Sequence, residues 1–232
     1  MPAVTLVERH ESVKLRAKTD LRQATRSGST AEDNAPRMTF KDNNLTRKAA
    51  RGDIEAFSQL VREHSGLVYR VAARILGDSD AQDATQEVWI RVWRNVKSFR
   101  GESAFSTWLY KITVNTCLSA YRRKQSREAR EAREAREARE TGEDLGHLPV
   151  PPSIEDDPEA ATVADERREE LLRALERVRP EHRAALVLRH MEGLSYVEVA
   201  QVLEVPEGTA KGWVNRGRAA LLVALSAERG SA

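Results

Sequence analysis

Asp80-Ala-Gln-Asp-Ala-Thr-Gln-Glu-Val-Trp-Ile-Arg-Val-Trp93, followed after five intervening residues by Phe99-Arg-Gly-Glu-Ser-Ala-Phe-Ser-Thr-Trp-Leu-Tyr-Lys-Ile112, decides how this chain folds. In the first stretch Ala84, Val88 and Val92, continued by Val96, recur at i, i+4, the spacing of one helix face. The helix begins near Ser79 and Asp80 and so has acids in its first turn, where the dipole favours them. A third helix starts after Gly101 and carries Phe105, Leu109, Ile112, Thr116 and Ala120 on one face. Its opposite face holds Trp108, Lys111, Asn115, Ser119 and Arg122. Upstream, from Asp53, Ile54, Phe57, Leu60, Val61, Leu67, Val68, Val71 and Ile75 mark another helix, which Gly77 ends. Three helices with short Gly-bearing connections predict a compact all-α domain over residues 46–125.

Working outward, composition agrees with a helical protein. Ala, Leu, Glu and Arg dominate, while 12 Gly and 8 Pro in 232 residues leave little for turn-rich sheet. No apolar run reaches the roughly 18 residues of a spanning helix, so no membrane insertion is expected. The first residues mix Glu8, Glu11 and Lys14 with apolar positions and form no signal-peptide core. With Cys117 as the single cysteine, no internal disulfide can form, and the chain reads as cytoplasmic.

The net charge of +2 conceals segregation. Residues 1–45 carry +2, 46–125 carry +6, 126–165 carry −7 and 166–232 carry +1. A basic block beside an acidic stretch points to a polyanion partner for part of the chain. Residues 1–45 show no sustained periodicity and are expected to be a mostly disordered extension. Residues 126–165 are expected to be a linker. Its first part, Arg127 to Glu140, is an Arg-Glu-Ala repeat whose period of three builds no apolar stripe, predicting a fluctuating solvated continuation of the third helix. Its second part holds Pro149, Pro151, Pro152 and Pro158 among acids, and residues 141–165 contain seven acids and no Lys or Arg.

Residues 166–232 are predicted to form a second helical domain. Periodicity returns from Val163 with Leu171, Leu172, Leu175 and Val178, and Pro180 interrupts it. A further helix with Ala184, Ala185, Leu186 and Leu188 closes at Gly193, and Ser195-Tyr-Val-Glu198 is a capping box. Glu204-Val205 makes a tight turn before a final helix from about Pro206 to Leu225. This is helix-turn-helix spacing: Val199, Leu203, Val205, Ala210 and Val214 face inward, and Thr209, Lys211, Gly212, Trp213, Asn215, Arg216 and Arg218 face outward. Three basic residues and no acid between Gly208 and Arg218 suit a recognition helix in a major groove. The plainer alternative is a helical hairpin with a solvated basic face.

The first domain carries a different signal. Seven of the twelve aromatics fall between Trp89 and Tyr121, beside Lys97, Arg100, Lys111, Arg122 and Arg123. Rings, an amide and cations on one exposed helix face suit single-stranded nucleic acid, with bases stacking and cations following phosphates. For Trp89 and Phe57 a core role reads better. No Gly-rich phosphate loop, H-E-x-x-H, cysteine pair or G-x-S-x-G turn occurs, so neither catalysis nor a metal or cofactor is expected. His10, His64, His147, His182 and His190 are scattered, and Cys117 reads as a small core residue.

At this point the two quoted stretches resemble region 2 of bacterial sigma factors, most closely the extracytoplasmic-function (ECF) class of the sigma-70 family. Leu186-Val-Leu-Arg-His-Met-Glu-Gly-Leu-Ser-Tyr-Val-Glu-Val-Ala200 and Val205-Pro-Glu-Gly-Thr-Ala-Lys211 are similar to its region 4. The resemblance implies that the helix bearing Asp83, Gln86, Glu87, Arg91 and Trp93 docks on the β′ clamp helices of core RNA polymerase. It implies that the segment from Phe99 through Asn115 melts the minus-10 element and captures a flipped base. Phe99, Arg100, Phe105, Trp108, Asn115 and Ser119 would meet that element, with Lys111, Arg122 and Arg123 on its phosphates. Region 4 would read the minus-35 duplex through Thr209, Lys211, Trp213, Asn215, Arg216 and Arg218 and touch the β flap. The linker would thread the polymerase cleft. An anti-sigma factor is a further partner class that the resemblance admits.

The chain also departs from the family pattern. Glu204 stands where Gly is usual, Gly212-Trp213 replaces a small polar residue and Arg, and Asn215 and Gly217 replace His and Ala. Trp213 cannot make the bidentate guanine contact of an Arg. The reading is therefore a two-domain ECF sigma factor without catalysis of its own. A conventional helix-turn-helix regulator of duplex DNA is the alternative, and the aromatic face of the first domain argues against it.

Overall fold

In the computed structural model of the chain, which describes residues 40–101, 103–141 and 163–229, the regular elements are all helical. The elements of the first half are α1 (Phe40–Ala50), α2 (Ile54–Leu76), α3 (Asp78–Asn95), a 3-10 turn (Val96–Ser98) and α4 (Phe105–Thr141). Those of the second half are α5 (Val163–Glu176), α6 (Pro180–His190), α7 (Tyr196–Leu203) and α8 (Glu207–Arg229).

Asp53 starts α2 by accepting a 3.0 Å hydrogen bond from the Ala56 amide, satisfying one of the first-turn donors that a helix leaves open. Gly77 ends α2 at φ 90°, donates its N–H to the Ala73 carbonyl, and is followed directly by the first residue of α3. Only glycine turns the chain this sharply at low cost. The stripe read from sequence is the buried one: Leu60 and Val68 on α2 pack with Val88 and Val92 on α3 and Phe105 and Leu109 on α4, while Val71 and Ile75 pack with Ala84 on α3 and Val114 on α4. Each such side chain contributes about 1.5–3 kcal/mol by leaving water.

One expectation on the bounds of the elements needs correction. The extension assigned to residues 1–45 ends earlier, because α1 starts at Phe40 and buries Thr46 and Ala49 against the 3-10 turn and α2. Its amphipathic pattern is weak, which hid it; residues 1–39 lie outside the described part. The Arg-Glu-Ala repeat continues the third helix with exposed side chains, as its sequence predicts. α4 runs without interruption through the Arg-Glu-Ala repeat to Thr141, supported by Arg127–Glu131, Arg130–Glu134 and Arg133–Glu137 pairs at i, i+4. The acidic, proline-bearing linker at residues 142–162 lies outside the described residues.

The second half is built as its sequence indicates. Pro180 occupies the first turn of α6, where its missing N–H costs nothing. Ser195 and Glu198 close a reciprocal capping box on α7. Glu204 takes the left-handed conformation (φ 55°, ψ 42°) between α7 and α8, a strained position for a side-chain-bearing residue. At Gly217 on α8 a β-carbon would meet the His182 carbonyl oxygen at 2.6 Å, so the α6–α8 approach requires glycine.

The two halves, expected as separate domains on a tether, share one core. Val71, Ile75, Leu76, Tyr110, Val114 and Leu118 of the first half pack with Ala184, Leu188, Leu194, Val199, Val202 and Val214 of the second. Polar contacts join them too. The guanidinium of Arg183, 1 % exposed, donates to the Ile75 carbonyl at the end of α2, and within its own half to the Glu176 (2.5 Å) and Val178 (3.0 Å) carbonyls. A cation on these open carbonyls also complements the helix dipole.

Candidate nucleic-acid and polymerase surfaces

Three rings, Phe99, Phe105 and Trp108, cluster edge-on or tilted around the start of α4. Phe105 is 1 % exposed and lies against Phe99 (5.9 Å between centroids), Trp108 (5.8 Å) and His64 (5.3 Å). Phe99 and Trp108 are half-buried and 5.3 Å apart. The structure thus places Phe105 beneath the surface, supporting the two rings above it, and not where a base can stack. Its position in the apolar stripe of α4 carried that signal already. Asn115 is exposed two turns beyond Trp108, Ser119 is half-buried, and Arg100, Arg122 and Arg123 are exposed. Rings, amide and guanidinium groups therefore line one side of α4, an arrangement able to stack an unpaired base and hold its backbone.

Lys111 on the same face is not free. Its Nζ lies 2.8 Å from the Glu204 carboxylate in the α7–α8 turn. Beside it, Tyr110 is 2 % exposed and donates its hydroxyl to the Glu192 carboxylate at 3.0 Å. Glu192, 1 % exposed, also accepts from Arg74 at 2.5 Å and has Arg70 at 3.9 Å. Burial lowers the Arg74 pKa, partly offset by Glu192, and burial followed by the Glu192 charge raises that of Tyr110. Sequence reasoning missed this group because Glu192 and Arg74 are separated by 118 positions.

On α3, Asp83 and Gln86 are exposed. Glu87 accepts from Arg91 Nε at 2.7 Å, and this hydrogen bond holds its carboxyl below the usual range. Trp93 is 40 % exposed with its ring 4.7 Å from Phe57. Ile54 and Ile90, also exposed, stand at i, i+3 from Phe57 and Trp93 and widen this into an apolar patch next to the acids. Ile90 lies off the buried stripe of α3, the sequence sign that it serves a surface.

On α8, Asn215, Arg216 and Arg218 are exposed and Thr209 is half-buried. Lys211 pairs with Glu207 at 2.7 Å and lies 5.7 Å from the Tyr196 ring. Trp213, expected to face outward, is instead half-buried against His182, with ring centroids 6.2 Å apart. Among the described residues no His/Cys/Asp/Glu group could hold a metal ion, and no helix is long and apolar enough to cross a membrane.

Comparison with known proteins agrees with this arrangement. Residues 60–127 match the Sigma-70 region 2 model and residues 168–221 the Sigma-70 region 4 model. The chain is 34% identical over 180 residues to the ECF RNA polymerase sigma-E factor of Escherichia coli K12, covering 78% of this chain and 92% of that protein. It is also 34% identical to the RNA polymerase sigma-H factor of Pseudomonas aeruginosa, over 80% of this chain and 94% of that one. The structure is similar to CnrH solved with the cytosolic domain of CnrY, at TM-score 0.52 and 25% identity over 81% of this chain and 98% of that chain. The fold is shared with the sigma factor RpoE of Bartonella quintana, solved with the anti-sigma factor NepR, at TM-score 0.52 and 22% identity over 73% of this chain and 96% of that chain. A region 2 bundle followed by a region 4 helix-turn-helix, in a chain this similar to those relatives, makes it a member of the ECF class of the sigma-70 family.

Proposed function

We propose that this chain binds core RNA polymerase through α3, opens the minus-10 element with the face of α4, and reads the minus-35 element with α8. The observation that carries the reading is the Phe99–Trp108–Asn115 face, built on a helix that region 2 of the family supplies. A regulator of duplex DNA alone has no use for stacking groups there. The polymerase performs the chemistry and the chain contributes recognition, acting in the cytoplasm. The acids and apolar patch of α3, with Asp83, Gln86, Glu87, Arg91 and Trp93, meet the β′ clamp helices, and the body of region 4 meets the β flap.

This reading requires the halves to part. Two elements about 25 base pairs apart along a duplex of 3.4 Å rise are separated by about 85 Å. Lys111 and Glu204, which belong to the two reading surfaces, are 2.8 Å apart here. The packed arrangement is therefore that of the chain off the promoter. The relatives CnrH and RpoE were solved with a second polypeptide, and an anti-sigma factor belongs to the same proposal as a partner of the packed form.

Run-off transcription by core polymerase from a promoter library, with and without the chain, tests the reading. New start sites that appear only with the chain, with permanganate-reactive thymines at minus 10, are expected. Duplex binding without any polymerase-dependent start site would favour the conventional regulator.

A further inference from the structure

Glu192 and Glu204 of region 4 both pair with cations of α2 or α4, and they arrive in different ways. Glu204 is carried by a turn residue in the left-handed region, where the resemblance puts glycine. Glu192 enters the shared core itself, with one oxygen on Arg74, the other on the Tyr110 hydroxyl, and Arg70 behind. Two guanidiniums and a phenol around one carboxylate form an anion site, since those donors suit a phosphate oxygen as well as a carboxylate one. Tyr110 and Lys111 are successive residues on α4, so this site adjoins the face proposed to hold the minus-10 strand.

We propose that Arg70, Arg74 and Tyr110 form a nucleic-acid phosphate site of region 2, which the Glu192 carboxylate fills while the halves are packed. The inference rests on the proposed parting of the halves and adds what region 2 uncovers when they part. Lifting region 4 removes Glu192 and Glu204 together. Two arginines, a lysine and a phenol are then left without their carboxylates, and a nucleic-acid backbone supplies the compensating charge. Region 4 thus holds the site closed against non-specific polyanions until polymerase draws it away. Arg70 is the residue on which to test this, because it is about half-exposed and its 3.9 Å contact is the loosest of the three.

Single-stranded oligothymidine is the probe, because it presents phosphates without a promoter sequence. Dyes on cysteines introduced at the exposed positions Asn95 and Ser226 report separation of the halves by energy transfer, Cys117 being buried. In the full chain, Glu192→Gln is expected to lower energy transfer and tighten oligothymidine binding several-fold. Adding Arg70→Gln is expected to remove that gain, and Arg70→Lys to restore most of it. A gain that persists in Glu192→Gln with Arg70→Gln overturns the phosphate site while leaving the parting of the halves intact. Energy transfer that stays unchanged when core polymerase and promoter DNA bind the wild-type chain overturns both. Should Glu192→Gln fail to fold, the reconstituted holoenzyme decides. There Arg70→Gln is expected to reduce the slope of log affinity against log salt by about one, and an unchanged slope overturns the site.

Discussion

The His182 carbonyl oxygen stands where a β-carbon on Gly217 would approach to 2.6 Å, so α6 and α8 touch through backbone at this point. The obstacle is a helix carbonyl and not the end of a flexible side chain. Gly217→Ala is therefore expected to destabilise the protein by about 1–3 kcal/mol, as overpacking does. A lowered thermal midpoint, with a shifted Trp213 emission from its contact with His182, checks this; an unchanged midpoint would show that the helices separate without cost.

Phe105 and Asn115 should respond in opposite ways to alanine. Phe105→Ala empties a buried site under Phe99 and Trp108 and is expected to cost about 3–5 kcal/mol, seen as a lower urea midpoint. Asn115→Ala alters an exposed position and is expected to change stability by at most about 0.5 kcal/mol. Its effect is expected in promoter opening, with weaker permanganate reactivity at minus 10 and normal polymerase binding. Normal melting by Asn115→Ala would remove it from the minus-10 surface.

Charge reversal on α3 tests the polymerase surface. Asp83→Lys combined with Glu87→Lys replaces two carboxylates outside the core and breaks the 2.7 Å Glu87–Arg91 contact. Such an exposed pair contributes no more than about 1 kcal/mol, so circular dichroism is expected to show an intact helical fold. Loss of co-purification with core polymerase is the expected result, and retained binding would place the docking surface elsewhere.

His190 gives the fold a pH dependence of definite sign. Burial, then the charges of Arg189 and Arg218, lowers its pKa from 6.5. The unfolded chain therefore takes up the proton more readily than the folded one. The stability this contributes is present above pH 6.5 and is lost as pH falls through the lowered folded value. Thermal midpoints between pH 7.5 and about 5 are expected to fall less in His190→Gln than in the wild type. Parallel pH profiles would count against this assignment.

Where one helix face decides the structure, the sequence shows it. Leu60, Val68, Val88, Val92 and Leu109 form the core at the spacing that predicts it, and the Ser195–Glu198 box closes as written. Phe105 could not be placed by residue type, because an aromatic beside basic residues suits both a core and a base-stacking surface. Trp213 misleads for a related reason: helical phase points it outward, but the α6–α8 contact made close by Gly217 brings His182 to its ring. The joining of the halves was not legible at all. Beside the shared apolar core it depends on Glu192, Arg74 and Arg183, charged residues that a local reading assigns to solvent; Glu192 and Arg183 are buried and Arg74 half-buried because each meets a partner from more than one hundred positions away.

The uninterrupted run of α4 to Thr141 has a mechanical consequence. Beyond Tyr121, the last half-buried residue among those whose side chains are described, the helix continues for 20 residues, a spar of about 30 Å at 1.5 Å per residue. The tether to region 4 is anchored at the tip of that spar and not at the surface of region 2. Each seven-residue change in the Arg-Glu-Ala repeat would move the anchor by about 10 Å while turning it nearly a whole number of times. Repeat length therefore sets where the tether begins, independently of how long the tether is.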